Sequence, residues 1–253
     1  MFERIFLTNL RGEKLAAIFH IPNSCIVNEF VVILCHGMFS SKDGVKQIAI
    51  SNALEEAGIP SIRFDFSGCG ESGGKIEEVS ISRRLQDLEA VVQFVKTKGL
   101  KRVALIGSSL GAVVALLATS GGIVKESEFL ILIATPSGAE ILLEQFSKDK
   151  VSRWKNTGFL EVDGKKIGWQ FVEDFSMYNV LSEAKKIKCP TLLIHGSRDE
   201  VVPVKSSMEI LDAMECPKKL IIIDNGNHLL SKGEEIKEIN KLILEWFEHG
   251  KNI

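Results

Sequence analysis

The feature that most constrains this chain is an apolar run that ends in a serine flanked by glycines. Val103-Ala104-Leu105-Ile106 leads directly into Gly107-Ser108-Ser109-Leu110-Gly111, and a second apolar stretch follows. A buried strand that turns through Gly-x-Ser-x-Gly into a helix predicts a sharp elbow with one hydroxyl raised above it. Side chains two positions either side of that serine would collide in so tight a bend, so both positions call for glycine. Only Ser109 has glycine at minus two and plus two, which selects it over Ser108. A helix opening near Leu110 would aim its N-terminal amides at negative charge forming beside Ser109. The competing reading is a phosphate cradle, but the segment is not Gly-x-Gly-x-x-Gly and no lysine follows it as a P-loop requires.

A serine hydroxyl is inert near neutral pH without a base, and the base needs an orienting carboxylate. The histidines are His20, His36, His195, His228 and His249. His228 lies in Asp224-Asn225-Gly226-Asn227-His228, directly after the strand-like Leu220–Ile223, where a short loop can reach across a sheet edge. Thr191–His195 is another apolar strand, and the loop after it carries Asp199, with Glu200 and Asp224 as rival acids. His36 and His195 each precede glycine at a strand end, a position suited to bracing a loop. His20 alternates along a strand, and His249 belongs to a charged terminal helix. Asp65 precedes a Gly-rich turn and is expected to stabilise it. The chain order is then Ser109, Asp199, His228.

Four segments in order carry a resemblance to a known family: His36-Gly37-Met38; Asp65-Phe66-Ser67-Gly68-Cys69-Gly70-Glu71-Ser72; the Ser109 elbow; and His195-Gly196…Asp199…Val202-Pro203 with Gly226-Asn227-His228. The chain resembles the α/β-hydrolases of the serine aminopeptidase, monoglyceride lipase and cinnamoyl-esterase-like group over nearly its whole length. That resemblance implies a mostly parallel central sheet flanked by helices, with an inserted cap. It also implies an oxyanion hole from the backbone amides of Met38 and Leu110, with Phe39 as the donor if the register differs by one. Carboxylic ester hydrolysis of small to medium acyl or aromatic acids, without metal or organic cofactor, is the expected activity. Thioester, peptide or carbon–carbon bond hydrolysis, and a non-catalytic binder on the same fold, are the alternatives.

Composition narrows the field. A chain of 253 residues with 45% hydrophobic side chains can bury a large core as one domain. A net charge of −2 gives no electrostatic case for nucleic acid or an anionic membrane surface. The five cysteines have no metal-type spacing, and their odd number with Cys35 in a core-like strand predicts a reduced, cytoplasmic protein. Cys69, in the Gly-rich turn, is open to exposure. Met1-Phe2-Glu3-Arg4-Ile5 lacks the long apolar stretch of a cleaved signal. Val103–Val124 holds no charge over 22 residues, yet glycines interrupt it, and it reads as strand, elbow and buried helix rather than a membrane span. A small-molecule ester is the expected partner, and a homodimer is compatible with the sequence.

Alternating elements fit an α/β sheet. Strands are predicted at Arg4–Thr8, Leu15–Ile21, Val31–Cys35, Ser61–Phe66, Val103–Ile106, Phe129–Ile133, Thr191–Ile194 and Leu220–Ile223. Helices are predicted at Lys46–Ala57, around Leu85–Val95, after the elbow, around Val204–Leu211 and over Glu234–Phe247. The alternation breaks over about 137–188, which holds seven of the 18 aromatic side chains and therefore predicts an insertion with its own small core. Phe159–Trp169 reads as a hairpin turning at Asp163-Gly164. Most of these rings should serve that core, while one or two of Trp154, Trp169 and Phe171, together with Phe39, are candidates to line an acyl pocket.

Overall fold

The computed structural model describes residues 2–22, 30–125 and 127–250. Strands β1 (Phe2–Thr8) and β2 (Lys14–His20) form an antiparallel pair, and β2 pairs antiparallel with β4 (Ser61–Phe64). The remaining strands of this sheet run parallel: β3 (Phe30–Cys35), β5 (Arg102–Ser108), β6 (Ser127–Ile133), β9 (Thr191–Gly196) and β10 (Lys218–Ile223). Spatial order is β1-β2-β4-β3-β5-β6-β9-β10. The antiparallel β2–β4 pairing is not legible in the alternation of elements.

Side chains of the central strands enter two cores by turns. Val31, Ile33, Val103 and Leu105 enter one, and Val32, Leu34, Ala104 and Ile106 the other. Parallel strands buried on both faces need such continuous apolar runs. Helices α2 (Ile81–Thr97) and α3 (Leu110–Ser120) cover the first face. Helices α1 (Val45–Glu56) and α9 (Gly233–His249) cover the second. Leu110 to Ala118 are all buried, which explains the uncharged stretch after the elbow. No helix among the described residues is long and apolar enough to cross a membrane.

β3 pairs with β4 on one side and β5 on the other, so the winding reverses between them. Open α/β sheets bind ligands at the carboxyl ends of strands flanking such a switch. His36 begins the loop after β3, and Ser109 follows β5. β4 ends at Phe64 rather than Phe66, because the Asp65 amide donates to Ala16 and the Phe66 amide to His36 Nε2. Asp65 does stabilise its turn, accepting from the amides of Lys42 at 2.6 Å and Glu71 at 2.9 Å. The four described cysteines are free and buried; Cys25 lies outside the described residues. Cys69 is 7% exposed, contrary to an open position in the turn, since its sulfur faces inward to Arg84.

Between β6 and β9 come α4 (Ala139–Leu143), α5 (Lys148–Thr157), the hairpin β7 (Phe159–Val162) and β8 (Lys165–Gly168), α6 (Gln170–Ser176) and α7 (Val180–Ala184). Asp163 and Gly164 turn the hairpin with φ of 50° and 72°, as Asp-Gly predicts. Trp154 is buried, donates Nε1–H to the Ile167 carbonyl at 2.9 Å and meets Trp169 edge-on at 5.4 Å. Phe171 packs on Phe175. The Ser82 amide donates to Asp174 at 3.0 Å and Gln170 donates to the Glu77 carbonyl, tying the insertion to α2 and the turn before it.

Two glycines give contrasting expectations. A Cβ on Gly111 would overlap the carbonyl oxygens of Cys35 and His36, whereas one on Gly233 would meet nothing within 4 Å. Gly111→Ala should therefore cost about 1–3 kcal/mol or more in urea unfolding. Gly233→Ala should be neutral or stabilise by up to about 1 kcal/mol.

Candidate active site

Ser109 holds φ 54° and ψ −122°, a left-handed conformation rare for a residue with a side chain. Its amide donates to the Ile133 carbonyl at 2.8 Å, and its carbonyl accepts from the Ala112 amide at 2.9 Å. The flanking glycines are needed as expected: a Cβ on Gly107 would overlap Ala112 and the Gly111 carbonyl. The serine therefore stands proud of the turn while strand and helix close beneath it.

The structure brings Ser109, His228 and Asp199 together from three different loops. His228 Nε2 lies 3.0 Å from Ser109 Oγ, and His228 Nδ1 lies 2.8 Å from Asp199 Oδ2. Since a carboxylate only accepts, Nδ1 carries the proton and Nε2 accepts from the serine hydroxyl. The other two loops interlock. The Arg198 amide donates to the Gly226 carbonyl at 2.8 Å, and a Cβ on Gly196 would overlap that same carbonyl. Positive φ at Asn225 and Leu230 turns the chain either side of His228.

Asp199 is saturated with donors. Oδ1 accepts from the amides of Val201 at 2.9 Å and Val202 at 2.7 Å. Oδ2 faces His228 and also His195 Nε2 at 3.1 Å. Burial alone would push this carboxyl up, but hydrogen bonds from His195, His228 and the Val202 amide outweigh it and hold it well below the ordinary carboxylate range. His195 is fully buried, with Nε2 on the Val202 carbonyl at 2.8 Å and Nδ1 on Ser207 Oγ at 2.7 Å. It braces the acid loop as its position suggests, and it touches the acid too. The rivals Asp224 and Glu200 are exposed, and Asp224 accepts from Ser197 and Asn225 instead.

His36 is also fully buried. Nδ1–H donates to the Gly37 carbonyl at 2.7 Å, and Nε2 accepts from the Phe66 amide at 3.1 Å. A trans peptide carries its N–H opposite its carbonyl, so fixing Gly37 C=O fixes the direction of the Met38 N–H. A Cβ on Gly37 would lie 3.4 Å from Ser109 Cβ, which brings this loop against the serine. Leu110 is the first residue of α3, where amides have no partner within the helix.

Phe39 lines a cavity of about 500 Å³ with Cys69, Ile76 and Lys165, and the Lys165 ammonium sits 5.1 Å from its ring centre. Trp154, Trp169 and Phe171 do not line that cavity; they form the core of the insertion. One neighbour escaped sequence reasoning. Lys46 of α1 donates to Ser108 Oγ at 2.8 Å, and burial lowers it to about 8 despite the carboxylates of Asp199 and Glu235. A lysine on a helix looks like any solvated residue in a sequence, so no signal marked it.

Neutral His36 makes stability depend on pH. Burial, helped by the Arg84 cation, depresses its folded pKa from the ordinary 6.5 to about 3. Between those values the unfolded chain binds a proton that the folded protein refuses, so this stability is whole above pH 6.5 and lost as pH falls towards 3. The loss is on the order of 4 kcal/mol. Urea midpoints taken from pH 7 to pH 4 should fall less steeply in His36→Asn than in the unmodified protein.

The family model described as Hydrolase_4, serine aminopeptidase S33, matches residues 28–155 and 164–235. The mitochondrial palmitoyl-protein thioesterase ABHD10 of Mus musculus is 26% identical over 219 residues, 81% of this chain and 71% of that protein. Est1E from Butyrivibrio proteoclasticus, solved with ferulic acid bound, superposes with a TM-score of 0.84 at 22% identity over 98% of this chain and 100% of that one. An esterase of Pyrococcus furiosus superposes with a TM-score of 0.76 at 24% identity, covering 100% and 91%. With the family match running through most of its length and through every loop that meets at Ser109, the chain belongs to the serine aminopeptidase S33 family of α/β-hydrolases.

Proposed function

We propose that the protein hydrolyses carboxylic esters through an acyl-enzyme formed on Ser109. The observation that carries this reading is the continuous relay from Ser109 Oγ through His228 to Asp199, at 3.0 and 2.8 Å. A hydrogen bond of that length lets His228 Nε2 take the hydroxyl proton as Oγ attacks the substrate carbonyl carbon. The ionised Asp199 fixes the ring and stabilises the imidazolium that forms. The amides of Met38 and Leu110 then accept the oxyanion as donors that need no reorganisation.

Collapse of the tetrahedral intermediate breaks the bond to the alcohol oxygen, which leaves with the proton held on His228. A water molecule next loses its proton to His228 and attacks the acyl carbon, and the released Ser109 recovers the proton. Neither step calls for a metal or organic cofactor. The 137–188 insertion acts in this reading as a cap, and the cavity beside Phe39 receives part of the acyl or alcohol group. Thioester hydrolysis is the second reading, favoured by the likeness to the palmitoyl-protein thioesterase ABHD10. The same acyl-enzyme serves it, with a thiol leaving in place of the alcohol.

The test is turnover of p-nitrophenyl esters from acetate to dodecanoate, methyl ferulate and an acyl thioester. Ser109→Ala should lower kcat by on the order of 10⁶. Asp199→Asn, which misorients the imidazole, should lower it by about 10⁴. Full activity in Ser109→Ala would sink the assignment. The relative kcat/KM for ester and thioester decides between the two readings.

A further inference from the structure

The largest fully buried side chain among the described residues is a charged one, Arg84 of α2, at 1% exposure. Its guanidinium makes only soft or neutral contacts. Nη1 donates to the His36 carbonyl at 3.2 Å, Nη2 lies 3.9 Å from Cys69 Sγ, and the plane sits 4.5 Å from the centre of the Phe66 ring. Nε has no hydrogen-bond partner. Arginine does not give up its proton in proteins, so this is a desolvated cation.

The nearby acids are engaged elsewhere. Asp87, one turn along the same helix, accepts at Oδ1 from Asn9 and Arg11 and at Oδ2 from the amide and hydroxyl of Ser67, so it acts on Arg84 through space without a hydrogen bond. Asp65 is held by Lys42 and by the amides of the turn. The two neighbouring thiols are neutral, since burial pushes Cys35 up to about 12 and Cys69 upward as well. A buried cation that no carboxylate bonds directly is a costly thing for a fold to keep. Cys69 stands between Arg84 and the cavity beside Phe39, so a bound anion does not reach the guanidinium without displacing that side chain.

What Arg84 does touch is the base of the loop facing Ser109. It holds the His36 carbonyl, His36 holds the Gly37 carbonyl, and the next amide is that of Met38. Resting on the ester-hydrolase reading, we propose that Arg84 is a positioning residue for the oxyanion. It anchors the loop that carries the Met38 amide, and its charge, only partly offset by Asp87, supplies a fixed positive field where the substrate carbonyl oxygen becomes negative. Charge fixed in advance in a dry site acts more strongly on a developing oxyanion than on a neutral ester. The transition state therefore benefits and substrate binding does not.

Three readings on the 253-residue protein test this: kcat and KM for p-nitrophenyl butyrate, and the affinity of phenylboronic acid, whose serine adduct is a tetrahedral anion. Arg84→Gln keeps a donor for the His36 carbonyl and removes the charge, while Arg84→Lys keeps the charge. The glutamine variant should lose about 10² in kcat with KM changed less than about threefold. Phenylboronic acid affinity should fall in step, and the lysine variant should recover about tenfold of the kcat. A folded glutamine variant with kcat within twofold of the unmodified protein, or equal losses in both variants, would overturn the proposal.

If Arg84→Gln does not fold, Cys69→Asp against Cys69→Asn decides. The aspartate supplies a directly adjacent counter-ion and should run about tenfold slower than its uncharged isostere, at equal labelling of Ser109 by a fluorophosphonate. Equal rates would refute the field. Turnover that survives Ser109→Ala overturns the hydrolase reading and this role with it. Ser109-dependent turnover that ignores the charge overturns this role alone.

Discussion

Helix α3 runs so close beneath the end of β3 that no side chain fits at Gly111, and the rest of the site depends on that approach. It forces the chain through a left-handed residue at Ser109, at a cost of about 1–3 kcal/mol. Burial of the helix on every side, from Leu110 to Ala118, offsets that cost several times over. The same approach sets the loop after β3 against the serine, so that Ser109 and the Met38 and Leu110 amides share one point of closest packing. Loosening it would relax the serine and withdraw the loop together.

Around this point, three imidazoles with identical chemistry take different parts because their surroundings differ. His36 and His195 are sealed from solvent with both ring nitrogens committed, and they behave as rigid spacers between peptide groups. His228 retains partial exposure, and one of its nitrogens faces only a hydroxyl. It alone of the three is open to solvent. Asp199 couples two of the three, touching His195 on the buried side and His228 on the solvent side.

Much of this was legible in the sequence, for physical reasons. Gly107 and Gly111 leave a pattern because only glycine fits where they stand, and strands buried on both faces must be apolar throughout. Ser109, Asp199 and His228 could be picked out because each follows an apolar strand on a short loop. Residues that act through space left no pattern. Arg84 and Lys46 sit on helices with ordinary charged neighbours, and nothing in their local sequence says that one is sealed from water and the other leans on Ser108. Aromatic content marked the insertion but not the use of its rings, since Trp154 and Phe171 would read alike whether they faced a core or a substrate. The exposure expected of Cys69 failed because a Gly-rich turn fixes the backbone and leaves the side chain free to point inward.

The order of strands along the chain has a consequence for how the molecule comes into being. Ser109 follows β5, near the middle of the sheet, whereas Asp199 and His228 follow β9 and β10, the last two strands to be synthesised. Domains condense as they emerge from the ribosome. A nascent chain that has reached only β6 lacks Asp199 and His228, and with them the β9 and α9 side chains that complete the second core. The contact of Ser109 with His228 and Asp199 therefore forms only with the final edge of the sheet.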